Sequence, residues 1–167
     1  MPYAALKSEL LAARDARQER LDALVRGTDN TLIQLALNIP GKRKSPPRSR
    51  ELLYWGEEQL EAAFPSLLRL HSEEDALGPW ALFLTAVEPL EAKRRCCGIE
   101  EQASFARLLD LDVYSATGEQ IGRRRLGRAP RQCFVCRADA GECMRAGRHD
   151  RKRIDEALNQ LLQSIPA

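Results

Sequence analysis

ARLLDLDVYSATGEQIGRR, residues 106–124, is the stretch on which the fold reading turns. Within it Leu109, Leu111 and Val113 alternate with Asp110 and Asp112, the period of two that a β-strand with one buried face requires. Thr117 and Gly118 supply a turn, and GEQIGRRR, residues 118–125, is expected to return as the second strand of a hairpin. Both carboxylates then project from one face, while the leucines and the valine enter a core on the other.

Working outward, TLIQLALN (31–38) reads as a largely buried strand broken by Pro40 and Gly41. After a turn-rich stretch that ends at Gly78 and Pro79, WALFLTAV (80–87) reads as a central strand and KRRCCGIEE (93–101) as another. Helical spacing marks three further segments. Leucines 6, 10, 11, 21 and 24 share a face between Ala4 and Val25. Leu52, Leu53, Gly56, Leu60 and Phe64 follow Ser49 as the expected cap and stop at Pro65. Ile154, Leu158, Leu161, Leu162 and Ile165 follow Asp150. The expected architecture is α+β: one domain over residues 1–167, with a mixed or antiparallel sheet of about four to five strands on which an N-terminal, a middle and a C-terminal helix pack.

Composition narrows the function. With 44% hydrophobic and 30% charged residues the chain can bury a core, and 26 basic residues against 24 acidic ones exclude a bulk polycation. No apolar run approaches the roughly 20 residues that span a bilayer, and the N-terminal stretch has no signal-peptide core, so a cytoplasmic location is expected. Five cysteines, two of them adjacent at 96 and 97, argue for reduced thiols or metal ligands over a disulfide framework.

Two like charges as close as Asp110 and Asp112 repel each other unless a cation sits between them. Mg²⁺ takes one or two carboxylates and leaves positions for phosphate oxygens, so the pair reads either as a metal site for phosphoryl chemistry or as a solvated strand edge. Arg123, Arg124, Arg125, Arg128 and Arg131 follow through the expected turn. Guanidinium groups match phosphate oxygens bidentately, and the basic loop KRKSPPRSR (42–50) could add to them; individually such arginines are also ordinary solubilising surface. In CFVCRADAGECMRAGRH, residues 133–149, Cys133, Cys136, Cys143 and His149 stand at C-x2-C, x6 and x5 spacing. These are donor types that close a tetrahedral zinc site, within a loop segment, 131–149, that lets them converge; the bland reading is three reduced thiols and a surface histidine.

Four segments in order resemble one family: LLAARDARQER (10–20), LNIPGKRK (37–44), ARLLDLDVYSATGEQIGRR (106–124) and RQCFVCRADAGECMRAGRH (131–149). The chain resembles the apo-citrate lyase phosphoribosyl-dephospho-CoA transferases. The resemblance implies transfer of 2'-(5''-triphosphoribosyl)-3'-dephospho-CoA to a serine of the apo acyl carrier protein subunit of citrate lyase, with release of pyrophosphate. It implies Mg²⁺ on Asp110 and Asp112, and substrate contacts from Arg14, Arg17, Gln18, Pro40, Gly41, Lys44, Arg107, Arg124 and Arg131. Where the family usually carries His-Pro and then Gly-Arg ahead of the acidic strand, this chain reads EEQASFAR, with Ala103, Ser104 and Ala106; Glu100 or Glu101 becomes the candidate acceptor of the serine proton. Partners are thus the carrier subunit and the nucleotide, with no membrane and no nucleic acid. The alternatives are a small zinc-dependent nucleic-acid-binding module and an inactive homologue that still docks to the carrier.

Overall fold

In a computed structural model that describes residues 2–166, helix α1 (Pro2–Val25) leads into strand β1 (Thr31–Leu37). Helix α2 (Ser49–Ala63) follows, then the hairpin of β2 (Leu68–Asp75) and β3 (Gly78–Thr85), helix α3 (Pro89–Glu101) and strand β4 (Leu109–Tyr114). The short helix α4 (Ala140–Arg145) and helix α5 (Arg151–Gln163) complete the chain. The four strands lie in the order β2-β3-β1-β4 and every pairing is antiparallel.

The alternation read from the sequence places the layers. On one sheet face Ile33, Leu35, Leu37, Ala81, Phe83, Leu109, Leu111 and Val113 meet buried side chains of α2, α3 and α5. On the other, Leu32, Ala36, Trp80 and Leu82 meet Leu21, with Leu24 and Val25 packed alongside, all from the C-terminal part of α1. The first half of α1, Ala4 to Ala16, contributes no fully buried side chain: Leu6 and Leu10 are half-buried and Leu11 is exposed. At the far end, Asp150 caps α5 by accepting the Arg153 N–H at 2.8 Å, as its position predicts. The Arg48 guanidinium donates to the carbonyls of Leu162, Ile165 and Pro166, which satisfies acceptors that the end of α5 leaves open.

Four expectations are corrected. Residues 93–101 form the bulk of α3 and are not a strand. Pro89 opens that helix, Glu88 accepts the N–H groups of Leu90 and Glu91, and Ala92, Cys96 and Ile99 recur at helical spacing into the core. The stretch before Gly78 contains β2, an edge strand of sequence LRLHSEED whose polar side chains hide its pattern and whose register slips between Arg69 and His71. Residues 118–125 do not form a second long strand: Gln120 bridges Tyr114, Ile121 N–H donates to Val113 O at 2.8 Å, and the chain then coils into a 3-10 turn at Arg123–Leu126. Ser49 is the first helical residue of α2 and not its cap; its hydroxyl donates to Pro46 O at 2.6 Å.

Gly56 lets α2 approach the sheet. A Cβ there would stand 3.2 Å from methyl carbons of both Leu35 and Leu109, which are fully buried. Gly56→Val is therefore expected to lower stability by about 1–3 kcal/mol through overpacking, read as a lower urea midpoint at unchanged slope. An unchanged midpoint would contradict this packing.

Candidate active site

β4 is an edge strand, and its outer row of backbone groups is closed by the chain itself. Arg131 donates to Leu109 O at 2.9 Å, Glu100 accepts Leu111 N–H at 2.9 Å, Lys93 donates to Leu111 O at 2.6 Å, and Ile121 N–H takes Val113 O. Lys93 and Glu100 are seven residues apart on α3, two helical turns, so one helix face presents both to one residue of the strand. Their shared role was hidden while 93–101 read as a strand; helical spacing from Pro89 is the signal that reveals it.

The Glu100 side chain is 1% exposed and its carboxylate is fully engaged. Oε2 accepts Arg123 at 2.6 Å, and Oε1 accepts Arg131 in addition to Leu111 N–H. Next to it, Glu101 binds Arg123 at 2.8 Å and Arg128 at 2.7 Å. The end of α3 thus fixes three guanidinium groups from the segment that follows β4.

These arginines form one side of a cleft of about 1060 Å³. The loop from Asn38 to Lys44 borders it, as do Ala103, Ser104 and Arg107 after α3 and the segment from Arg128 to His149. Lys44, Arg107, Arg123, Arg128, Arg131 and Arg137 contribute cations, while Ile39, Phe134, Val135 and Met144 supply apolar wall. The guanidinium groups of Arg107 and Arg137 have neither a hydrogen bond nor an ion pair among the described residues. Lys44 donates to Ile39 O at 2.7 Å, and burial together with the Arg151 charge lowers its pKa. Gly41 holds φ 88°, and the Arg151 guanidinium packs where a Cβ would project, so this border of the cleft is closely fitted to glycine.

Asp110 and Asp112 do share a face of β4, opposite Ala36 and Gln34 of β1. Asp110 accepts Arg131 at 2.9 Å and Asp112 accepts Gln120 at 2.8 Å. Burial, and then the negative charge of Asp110, raises the Asp112 pKa. Neither carboxylate lines the cleft; Arg131 connects them to it, since its guanidinium touches Asp110 and Glu100 and also borders the cavity.

Of the other residues singled out by the sequence, Pro40, Gly41, Lys44, Glu100, Arg107 and Arg131 line the cleft, and Arg124 is exposed outside it. Arg14 and Gln18 are exposed on α1, away from the lining, with Gln18 bonded to Asp22. Arg17 is buried on the α1 side of the sheet. It grips Asp75 at 2.7 and 2.6 Å, donates to Gly78 O and lies 4.8 Å over the Trp80 ring, so it fastens α1 to the β2–β3 hairpin.

The donor atoms of Cys133, Cys136, Cys143 and His149 all lie within 4.8 Å of one another. Cys133 Sγ stands 3.4 Å from His149 Nε2, and Cys136 Sγ 3.5 Å from Cys143 Sγ. Ligands held about 2.0–2.3 Å from a tetrahedral zinc are separated by roughly 3.5–3.8 Å, so the arrangement is compatible with a structural zinc. The Ala138 backbone and neighbouring thiols pull the Cys136 pKa down to about 6, whereas burial and the other two thiols push Cys143 up to about 11. One thiolate is favoured and further ones resisted, a conflict that a divalent cation removes. Cys96 and Cys97 lie apart from this cluster, fully buried as expected of core residues.

A cleft of this volume, with arginines on one side and apolar walls on the other, has the chemistry to suit a large phosphate-bearing ligand with apolar parts. The sequence matches the family model "Apo-citrate lyase phosphoribosyl-dephospho-CoA transferase" over residues 6–165, and the chain belongs to this family of transferases. It is 29% identical over 167 residues to a protein of Streptococcus pyogenes serotype M3 named as a probable transferase of this kind, covering 95% of this chain and 85% of the relative. It is 27% identical over 163 residues to the transferase of Escherichia coli O1:K1, covering 95% and 89%. No helix among the described residues is long and apolar enough to cross a membrane.

The edge closure makes a direct prediction. Lys93→Met removes the donor to Leu111 O inside a buried contact and is expected to cost about 1–3 kcal/mol of stability in urea unfolding. A variant as stable as the parent would show that the lysine is dispensable to the strand edge.

Proposed function

We propose that the chain attaches the prosthetic group carried by 2'-(5''-triphosphoribosyl)-3'-dephospho-CoA to a serine of the apo acyl carrier protein of citrate lyase. The serine Oγ attacks the phosphorus next to the ribose and gives its proton up to solvent, a phosphate ester bond forms, the anhydride bond to the outer two phosphates breaks, and these leave as pyrophosphate. The observation that carries this reading, beside membership of the family, is the position of Arg131. One guanidinium group touches Asp110 of the acid pair and the Glu100 anchor, and borders the cleft.

In this reading Arg107, Arg123, Arg128 and Arg131 hold the triphosphate, and the apolar wall of Ile39, Phe134 and Val135 takes the uncharged parts of the nucleotide. Asp110 and Asp112, which adjoin the cleft through the Arg131–Asp110 ion pair and do not line it, would hold Mg²⁺; two like charges on one strand face, one with a raised pKa, suit a divalent cation, which would supply neutralisation of the charge on the departing pyrophosphate. Glu100, with its carboxylate already committed to Arg123, Arg131 and Leu111 N–H, serves as a positioning residue and not as the acceptor of the serine proton. Cys133, Cys136, Cys143 and His149 hold a structural zinc that ties down the cleft wall formed by residues 132–149.

Protein incubated with Mg²⁺, the triphosphoribosyl nucleotide and apo carrier is expected to add the group to one serine, seen as a mass increase of the carrier. Asp110→Asn and Asp112→Asn are each expected to lower kcat/KM by about 100-fold or more while the melting curve is retained. No mass increase on a carrier that a relative converts contradicts the function, and full activity in both variants removes the acid pair from it. For the zinc, elemental analysis is expected to find one ion per chain, lost in Cys136→Ser. A stable, active parent protein free of metal contradicts that assignment.

A further inference from the structure

Charge is segregated along this chain. Residues 123–153 contain eleven of its 26 basic residues and three of its 24 acidic ones, so this segment carries a formal +8 while the remainder is negative. Part of the excess is used within the fold: Arg123, Arg128 and Arg131 pair with Glu100, Glu101 and Asp110, Arg125 with Glu119, Arg151 with Asp155 and Lys152 with Glu156. The side chains of Arg137, Arg145 and Arg148 have no hydrogen-bonded or ion-paired partner among the described residues, and all three residues are exposed.

Their positions relative to the cysteine and histidine cluster bring them together. Arg137 follows Cys136, Arg145 stands two residues beyond Cys143, and Arg148 precedes His149, while the four donor atoms lie within 4.8 Å of one another. The three arginines therefore rise from a single knot of chain. Met144, adjacent to Cys143, is 82% exposed, more than any other large hydrophobic side chain of the described residues. Met144 and Arg137 border the cleft mouth, but Arg145 and Arg148 do not line the cleft, so a nucleotide filling it leaves their charges unanswered.

We infer that this methionine-tipped arginine ridge is the docking surface for the acceptor protein, which it recognises through an acidic face around the accepting serine. The inference rests on the transferase reading above and adds the place where the second substrate binds. An adaptable apolar anchor ringed by cations is the arrangement of a protein contact: the methionine supplies buried area and the arginines supply steering and register. A nucleic-acid strand would instead call for several stacking rings, and of the chain's nine aromatic residues only Phe134 shares the cleft lining with Arg137. Because the ridge borders the cleft mouth, a serine delivered there arrives beside the bound triphosphate.

The test measures binding of fluorescently labelled apo acyl carrier protein of citrate lyase to the full chain, by anisotropy without nucleotide, alongside group transfer by mass. Arg145→Glu combined with Arg148→Glu is expected to weaken carrier binding about tenfold or more and to flatten its dependence on NaCl; Met144→Ala is expected to weaken it several-fold. In the arginine double variant, whose two residues do not line the cleft, affinity for Mg²⁺-pyrophosphate is expected to stay within about twofold, and metal content to stay unchanged, which separates docking from damage to the cleft. Unchanged carrier affinity in both variants overturns the inference. So does a random single-stranded RNA that binds the parent more tightly than the carrier and loses affinity in the same variants. Carrier binding that is lost in the variants, in a parent that transfers nothing, supports the docking surface and defeats the transferase reading; transfer by the parent with unaltered carrier affinity in the variants defeats the docking surface alone.

Discussion

The carboxylate of Glu100 stands almost fully out of water where α3, the edge of β4 and the arginine segment meet, and its contacts join that strand edge to that segment. A buried carboxylate persists only when its lone pairs are taken by donors, and here Leu111 N–H, Arg123 and Arg131 take them. That requirement works in both directions. The strand edge gains a partner that keeps it from pairing with another chain, and two guanidinium groups that would otherwise wander on long side chains are set in fixed positions. Glu101 extends the arrangement to Arg128. The cleft's cationic side is thus built from the end of one helix.

Much of this was legible before any coordinates. The alternation of Leu109, Leu111 and Val113 with two aspartates gave the strand and its faces, because a single buried face forces a period of two. The Cys133, Cys136, Cys143 and His149 spacing pointed to a convergent donor set, and the four donors do converge. What escaped was set by tertiary context. KRRCCGIEE has apolar residues too closely bunched to show a helical period until Pro89 and Ala92 are included, so α3 read as a strand. With α3 misassigned, the joint action of Lys93 and Glu100 on Leu111 could not be seen. LRLHSEED, an edge strand with few apolar side chains, carries no alternation to detect.

Arginine roles were the least legible, since the same side chain serves packing and recognition equally well. Arg17 lies between Trp80 and Asp75 and holds a helix, while Arg107, a match to the same family pattern, stands half-buried in the cleft with its guanidinium unpaired among the described residues. Only the fold separates them, because Arg17 lies on the α1 face of the sheet, against Trp80, whereas Arg107 lines the cleft. The acid pair shows the same limit: period two put both carboxylates on one face, but that they adjoin the cleft through Arg131 and do not line it depends on how residues 123–131 coil back.

The account comes down to one claim, that Glu100 holds the arginines in the geometry that receives a polyphosphate. Calorimetric titration of Mg²⁺-pyrophosphate into the parent and into Glu100→Gln tests it most directly. The glutamine variant is expected to remain folded, to keep its metal content and to bind pyrophosphate about tenfold or more weakly, because the guanidinium groups lose the charge that fixes them. A folded Glu100→Gln protein with the affinity of the parent would contradict the claim.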